Sequence, residues 1–279
     1  MKKERLDKFL VDNGFFDSRE KAKKAIMAGL VFLNGQVKQK AGDPIALDTP
    51  LSCISIKGDA IPYVSRGGLK LEKGLQVFDF PVENRVFLDI GASTGGFTDC
   101  LLQNGARKVY SIDVGYGQLD WKLRNDARVV SMERTNFRKL TENDLPEKAD
   151  ATVMDVSFIS IVKLLDTIHM LTKQDAQGIW LIKPQFEAGR ENVGKNGVVR
   201  DKKIHKNVLN DTLSSIQSKG FYIEGLDFSP IQGPKGNIEF LCLTRRCDEL
   251  TQIDSYDVQI EEVVERAHAT YRKKDDADE

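Results

Sequence analysis

Four charged side chains stand where the surrounding sequence is apolar. Lys70 lies in Ser65-Arg66-Gly67-Gly68-Leu69-Lys70 and Asp155 in Val153-Met154-Asp155-Val156-Ser157-Phe158. Lys183 lies in Leu181-Ile182-Lys183-Pro184-Gln185-Phe186 and Glu239 in Asn237-Ile238-Glu239-Phe240-Leu241. Lysines grouped with carboxylates are residue types that hold, steer or move a proton. Each also has a plain reading as a strand-end charge or an exposed strand position. If buried, each would need a partner, because an unpaired charge is costly in an apolar interior.

A second constellation is Asp89-Ile90-Gly91-Ala92-Ser93-Thr94-Gly95-Gly96-Phe97. Small residues there let backbone pass close to a ligand at the carboxyl end of a strand. The spacing is D-x-G-x-S-x-G rather than the G-x-G-x-x-G of nicotinamide enzymes. It is similar to the first motif of S-adenosylmethionine enzymes, with serine for the middle glycine. Asp113 ends the next apolar run and can accept hydrogen bonds from both ribose hydroxyls of a nucleoside. The candidate cofactor residues are therefore Asp89, Gly91, Ser93, Gly95, Gly96, Phe97 and Asp113, with Asn136 beyond the following strand. Phe97, Tyr116 and Phe137 are candidates for an adenosine pocket, although aromatic residues at such places are more often core.

The elements that must position these groups alternate. Strands are expected at 86–90, 108–113, 128–132, 151–155, 178–183, 221–227 and 237–244. Helices are expected near 67–78, 96–104, 158–171 and 202–219. Repeated β-α alternation predicts a parallel sheet covered on both faces. The connection from Ser229 to Gly236 is too short for a crossover helix, so the last two strands should pair antiparallel. Lys183 and Asp155 would then open beside the switch point of the sheet. The long, glycine-containing stretch from Glu187 to Arg200 is expected to be a flap over the substrate or a solvated loop.

The first 40 residues differ in character, with ten basic and five acidic side chains in a chain whose net charge is −1. Leu6, Phe9 and Leu10 fit one short helix. Ser18 can cap a second, in which Ala22, Ala25 and Ile26 form an apolar stripe among lysines. Gly29 can stop it, and Asn34-Gly35 between apolar residues predicts a hairpin. The stretch 5–38 resembles the RNA-binding module of ribosomal protein S-four, pseudouridine synthases and tyrosyl-tRNA synthetases. That resemblance rests on Arg5-Leu6-Asp7, Ser18-Arg19 and Gly29-x-Val31-x-Leu33-Asn34-Gly35. It implies RNA contacts through Arg5, Lys8, Arg19, Lys21, Lys23, Lys24 and Lys38, by shape and phosphate. The expected organisation is an RNA-binding domain at 1–60, a linker at 61–65, a catalytic domain at 66–246 and an acidic tail at 247–279.

Residues 2–246 together resemble the TlyA family of haemolysin-A-like proteins and ribosomal RNA 2′-O-methyltransferases. The second half is similar to FtsJ-type ribose methyltransferases, whose Lys-Asp-Lys-Glu tetrad matches Lys70, Asp155, Lys183 and Glu239 in order and context. The linker Pro62-Tyr63-Val64-Ser65 departs from the Trp-containing linker of some relatives. The resemblance implies an α/β fold: a Rossmann-like S-adenosylmethionine methyltransferase sheet with a small N-terminal α+β domain. It implies S-adenosylmethionine as cofactor, ribosomal RNA or a ribosomal subunit as partner, cytidine ribose as target, and no metal. Lys183 would be the residue nearest the 2′-hydroxyl. It would act either as a base, its pKa lowered by burial and by Lys70, or as a charged group that steers the hydroxyl. Asp155 and Glu239 would orient the ammonium groups.

Competing classes fit less well. A noncatalytic RNA-binding assembly factor need not hold two lysines and two carboxylates at strand ends. A cytolysin would be expected to carry a long apolar span or a membrane-inserting helix, and no apolar run approaches the roughly 18–20 residues that cross a bilayer. The N-terminus is charged throughout, unlike a secretory signal. The four scattered cysteines suit a reducing, cytoplasmic setting. Base methylation is disfavoured because Asp155-Val156-Ser157-Phe158 is not the Asn/Asp-Pro-Pro-aromatic turn of N-methylating enzymes. Sequence leaves the oligomeric state open.

Overall fold

The computed structural model describes residues 3–16, 18–56, 62–233, 235–247 and 255–277, apart from the side chains of Lys195 and 273–277. The expected linker residue 61 and the start of the tail at 248–254 lie outside this range. The chain divides into two compact units, one built on residues 1–66 and the other on residues 67–273.

The first unit is a small α+β module. Strand β1 (Lys3–Arg5) pairs antiparallel with β4 (Pro44–Ala46), and helices α1 (Leu6–Asp12) and α2 (Arg19–Met27) follow β1. A second sheet joins β2 (Val31–Leu33), β3 (Gln36–Lys38) and β5 (Ile54–Ile56) in the order β3-β2-β5. Ser18 caps α2 by accepting from Lys21 N at 3.3 Å. Gly29 leaves the helix with φ +74°. Asn34 and Gly35 both take positive φ, 53° and 77°, which is what a two-residue hairpin between Leu33 and Gln36 requires. Leu6, Phe9, Leu10, Ala22, Ile26 and Val31 close the core.

The second unit is a seven-stranded α/β sheet. Its strands are β6 (Val86–Ile90), β7 (Lys108–Ile112), β8 (Val129–Met132), β9 (Ala149–Met154), β10 (Thr172–Ile182), β11 (Phe221–Phe228) and β12 (Phe240–Arg246). They lie in the order β11-β12-β10-β9-β6-β7-β8. The pairs β6–β7, β7–β8, β6–β9 and β9–β10 are parallel, while β12 runs antiparallel between β10 and β11. Every residue of β6 is buried, as expected of a strand covered on both faces. The helices are α3 (Gly67–Val77), α4 (Gly96–Gln103), α5 (Trp121–Arg124), α6 (Leu165–Leu171), α7 (Pro184–Glu187), α8 (Lys202–Ser218) and α9 (Asp257–Ala277). The sheet winds in opposite directions from β6 and β9, so the crevice at their carboxyl ends is the place for a ligand.

Four details differ from the sequence expectation. The helix expected from 158 starts later, with a single turn at Ile161–Leu164 and then α6, because Phe158 sits in the left-handed region at φ 65°. Strand β10 reaches back to Thr172 through an irregular register between Thr172 and Gln177. Glu239 lies just before β12 rather than inside a strand, in a connection held by its own turns. Finally, the chain after 246 is not all acidic tail. Ile260, Val263, Val264, Ala267 and Tyr271 on α9 are buried in the same core as β10, β11 and β12.

Candidate active site

The four charged residues converge. α3 delivers Lys70, the end of β9 Asp155, the end of β10 Lys183, and the connection before β12 Glu239. Lys183 Nζ lies 2.6 Å from Asp155 Oδ1, and Lys70 Nζ lies 3.3 Å from Asp155 Oδ2 and 2.6 Å from Glu239 Oε2. They form a line, Lys183–Asp155–Lys70–Glu239, with alternating charge. Lys70, Lys183 and Glu239 are each less than a tenth exposed. Burial works against charge on Lys70, but Asp155 and Glu239 outweigh it and raise its pKa. Burial likewise works against charge on Asp155, and Lys70 and Lys183 outweigh it, so its pKa is lowered. The expectation that Lys70 acts directly on Lys183 does not match this geometry, because Asp155 stands between the two ammonium groups.

Two side chains unassigned from the sequence join the line. Lys183 donates to Ser157 Oγ at 3.1 Å, and Gln185 Nε2 is 3.5 Å from Glu239 Oε1. Both sit two residues from a tetrad member, within the very segments that mark Asp155 and Lys183. The signal was present, but a serine and a glutamine beside a strand end are too common to single out.

Asp155 and Ser157 face a cavity of about 390 Å³, lined also by Ile90, Gly91, Ser93, Asp113, Asn136 and Phe137. That volume is within the range of small-molecule sites. Gly91 has φ +85°, and a Cβ there would stand 2.9 Å from Asp155 O and 3.0 Å from Val156 Cγ1. A side chain at 91 would thus both strain the turn and push into the cavity floor. Asp113 holds the rim: its Oδ2 accepts from Ser93 N at 2.8 Å and its Oδ1 from Gly115 N at 2.7 Å. Each oxygen retains a lone pair for a ligand hydroxyl.

Of the predicted cofactor residues, Gly91, Ser93, Asp113 and Asn136 line the cavity. Asp89, Gly95, Gly96 and Phe97 do not; they build the turn from beneath. Asp89 is fully buried and accepts from Thr98 Oγ1 at 2.6 Å. Burial, with Asp155 and Asp113 as like charges nearby, pushes its carboxyl up to about 7. Gly95 lets Leu119 and Leu123 approach, since a Cβ there would meet Leu123 Cδ1 at 2.2 Å. Phe97 is core, and Tyr116 is exposed against Arg134, whose guanidinium carbon is 3.9 Å from the ring centroid.

The stretch 187–200 is pinned rather than loose. Val198 and Val199 are buried, and the Asn237 side chain accepts from Val199 N and donates to Gly197 O.

In the first unit Arg5 and Arg19 both bind Asp7, which they, with Arg5 foremost, hold down to about 2. Lys8 is paired with Glu4 and Asp12. Lys21, Lys23 and Lys24 are exposed on α2, and Lys38 is half-buried at the end of β3.

Comparison with known proteins agrees with these two units. A family model described as FtsJ-like methyltransferase matches residues 63–246, and one described as S4 domain matches residues 4–48. YqxC of Bacillus subtilis, provisionally named an rRNA methyltransferase, is 50% identical over 98% of this chain and 97% of its own length. The 16S/23S rRNA (cytidine-2'-O)-methyltransferase TlyA of Mycobacterium tuberculosis is 41% identical over 86% of this chain and 89% of its own. A solved structure bearing a hemolysin name, from Streptococcus thermophilus, is 46% identical, superposes with a TM-score of 0.79 and covers 99% of each chain. With an S4-type module, an FtsJ-like sheet and near full-length relatives, the chain belongs to the TlyA family of FtsJ-like methyltransferases.

Proposed function

We propose that this protein transfers a methyl group from S-adenosylmethionine to a ribose 2′-hydroxyl of ribosomal RNA, with cytidine as the target nucleoside. The observation that carries the reading is the buried line Lys183–Asp155–Lys70–Glu239, opening through Asp155 and Ser157 into a nucleoside-sized cavity. The cavity suits the cofactor: Gly91 lets the end of β9 close the cavity floor, where a Cβ would collide with Asp155 O, and Asp113 offers acceptor capacity at the rim. When bound, S-adenosylmethionine supplies a sulfonium-activated methyl group. Gly91, Ser93, Asp113 and Asn136 would hold it.

The residues of this chain then have to align a weakly acidic hydroxyl. The Lys183 ammonium is held by its ion pair with Asp155 and its bond to Ser157, and it can direct a remaining N–H at the ribose oxygen. With Asp155 kept ionised, this arrangement favours Lys183 as a charged group that orients the hydroxyl and stabilises the oxygen as its proton passes to solvent. Lys70 and Glu239 fix Asp155 from behind. Phe158 offers a flat surface for an unstacked base. Phe158 is 91% exposed at the cavity wall, and its ring lies 5.1 Å from that of Phe186.

Charge supports RNA as substrate. Around the amino ends of the strands, Arg107, Lys108, Lys148 and Lys173 are paired with carboxylates. In the loops at the carboxyl ends, the exposed Arg134, Arg138, Lys139, Arg190, Arg200 and Lys235 have no carboxylate partner among the described residues. Such unneutralised cations fit a phosphate backbone. Among the described residues no helix is long and apolar enough to cross a membrane. We infer action in the cytoplasm, where ribosomal RNA is found.

The test is direct. Ribosomal subunits incubated with the purified protein and methyl-labelled S-adenosylmethionine should gain an alkali-resistant dinucleotide, the signature of a 2′-O-methyl group. Label in base rather than ribose, or none with any ribosomal RNA, would overturn the proposal.

A further inference from the structure

A second polar network lies directly behind the tetrad, and part of it comes from outside the FtsJ-like region. Asp227, at the end of β11, is 2% exposed. Its Oδ2 is 3.2 Å from Lys73 Nζ on α3, and its Oδ1 is 2.5 Å from the Arg266 guanidinium on α9. Lys73 also donates to Phe228 O at 2.6 Å. The Phe228 ring is covered by Lys73, 3.7 Å from its centroid, and by Tyr271 edge-on at 6.2 Å. The Tyr271 hydroxyl donates to Ser229 O at 2.6 Å, and Ser229 N donates to Glu239 O at 2.8 Å.

The network therefore ends on two members of the tetrad. Lys73 is one helical turn from Lys70, so whatever holds Lys73 holds the phase and height of Lys70. Tyr271 is separated from the Glu239 backbone by a single residue. Burial and the Glu239 charge both raise the Tyr271 pKa, in keeping with that proximity. None of Asp227, Arg266 and Tyr271 lines the cavity. Nor is the contribution of the two charged residues and of the Tyr271 hydroxyl that of the apolar stripe, because Ile260, Val263, Val264 and Ala267, with the Tyr271 ring, already bury α9 against the sheet. A buried carboxylate that binds two cations from different helices is costly to desolvate, and it fixes those helices relative to each other.

We propose that Asp227, Arg266 and Tyr271 are positioning residues, clamping α3 to the connection 229–239 so that Lys70 and Glu239 meet at 2.6 Å. α9 is then a working part of the active site. The inference rests on the reading of Lys70 and Glu239 as reaction machinery.

The experiment compares full-length Tyr271→Phe, Arg266→Met, Arg266→Lys and, as an apolar-face control, Val263→Ala. Cofactor affinity, thermal midpoint and single-turnover transfer to ribosomal subunits are read for each. Tyr271→Phe and Arg266→Met should slow transfer at least fivefold, with cofactor Kd and half-saturating RNA within twofold of wild type. Arg266→Lys should recover most of the lost rate. Val263→Ala should lower the thermal midpoint at least as much while keeping the rate within twofold. Wild-type rates in Tyr271→Phe and Arg266→Met would overturn the proposal. So would rates that fall in step with thermal stability across all four variants. If the wild-type protein transfers no methyl at all, the functional reading fails, and the clamp is judged by crystal structures of Arg266→Met and Tyr271→Phe. A Lys70–Glu239 separation beyond hydrogen-bonding distance supports the clamp, and an unchanged contact refutes it.

Discussion

Asp89, in β6, and Asp113, just after β7, both support the turn at Gly91–Gly95 yet do different work, and their environments say how to separate them. Asp113 anchors two backbone amides at the cavity rim. Asp113→Ala should weaken S-adenosylmethionine binding by about 1–3 kcal/mol, the range for a lost hydrogen bond to a charged group. Exchange of the Ser93 and Gly115 amides should also quicken. Calorimetry and hydrogen exchange read the two effects, and unchanged affinity would place the cofactor elsewhere. Asp89 is buried below the turn with its carboxyl pushed up to about 7. Its folded pKa is raised, so its contribution to stability is present below the unfolded value near 3.8 and is lost as pH rises through about 7. Asp89→Asn keeps an acceptor for Thr98 and removes that loss. The variant should gain stability relative to wild type between pH 5 and pH 8, measured by urea unfolding; a constant difference across that window would contradict the assignment.

At the scale of elements, the sheet was largely legible because buried parallel strands read as apolar runs. β6 carries Val86-Phe87-Leu88-Asp89-Ile90 with no exposed position, and the short connection after β11 announces an antiparallel partner. The tetrad was legible because charge at an apolar strand end is conspicuous. What escaped depended on tertiary packing. The start of α6 is set by one left-handed residue, Phe158, and Glu239 is placed by turns rather than by a strand. α9 was hidden because its stripe, Ile260, Val263, Val264, Ala267 and Tyr271, is set among many charges and shows only weak periodicity. In the S4-type module, ion pairing sets some basic side chains apart from others. Arg5, Arg19 and Lys8 are tied to carboxylates, whereas Lys23 and Lys38 have no such partner among the described residues. Lys23→Glu with Lys38→Glu should weaken RNA binding and reduce the slope of log K against log salt by about 1.4–1.8, at roughly 0.7–0.9 per lost phosphate contact. Filter binding across a salt series reads the slope; an unchanged slope would move the RNA surface off α2 and β3.

For the whole molecule, the position of α9 changes where the chain can be cut. A fragment of residues 62–246 matches the FtsJ-like region but exposes the surface that α9 covers. Each buried Ile or Val side chain contributes about 1.5–3 kcal/mol, and a domain has only about 5–15 kcal/mol to lose. A fragment of residues 62–273 should therefore fold cooperatively and bind S-adenosylmethionine like the full chain, while its transfer to ribosomal RNA is impaired for want of the S4-type module. The fragment 62–246 should unfold at a clearly lower temperature or fail to fold. Equal thermal midpoints for the two fragments would mean that α9 is an appendage.

We propose that Lys183 and Asp155 act as one unit on a ribose hydroxyl. Single-turnover transfer to ribosomal subunits, with saturating enzyme, measures this for Lys183→Met, Asp155→Asn and the double variant. Lys183→Met keeps the stem of the side chain and removes only the ammonium. If that group acts on the hydroxyl in the transition state, cofactor affinity should stay within about threefold, roughly 0.6 kcal/mol, while the chemical step is abolished. Asp155→Asn should be severely impaired, and the double variant scarcely slower than Lys183→Met alone, as for residues that work together. Fully additive losses, or near-normal transfer by Lys183→Met, would mean that the two residues do not act together on the hydroxyl.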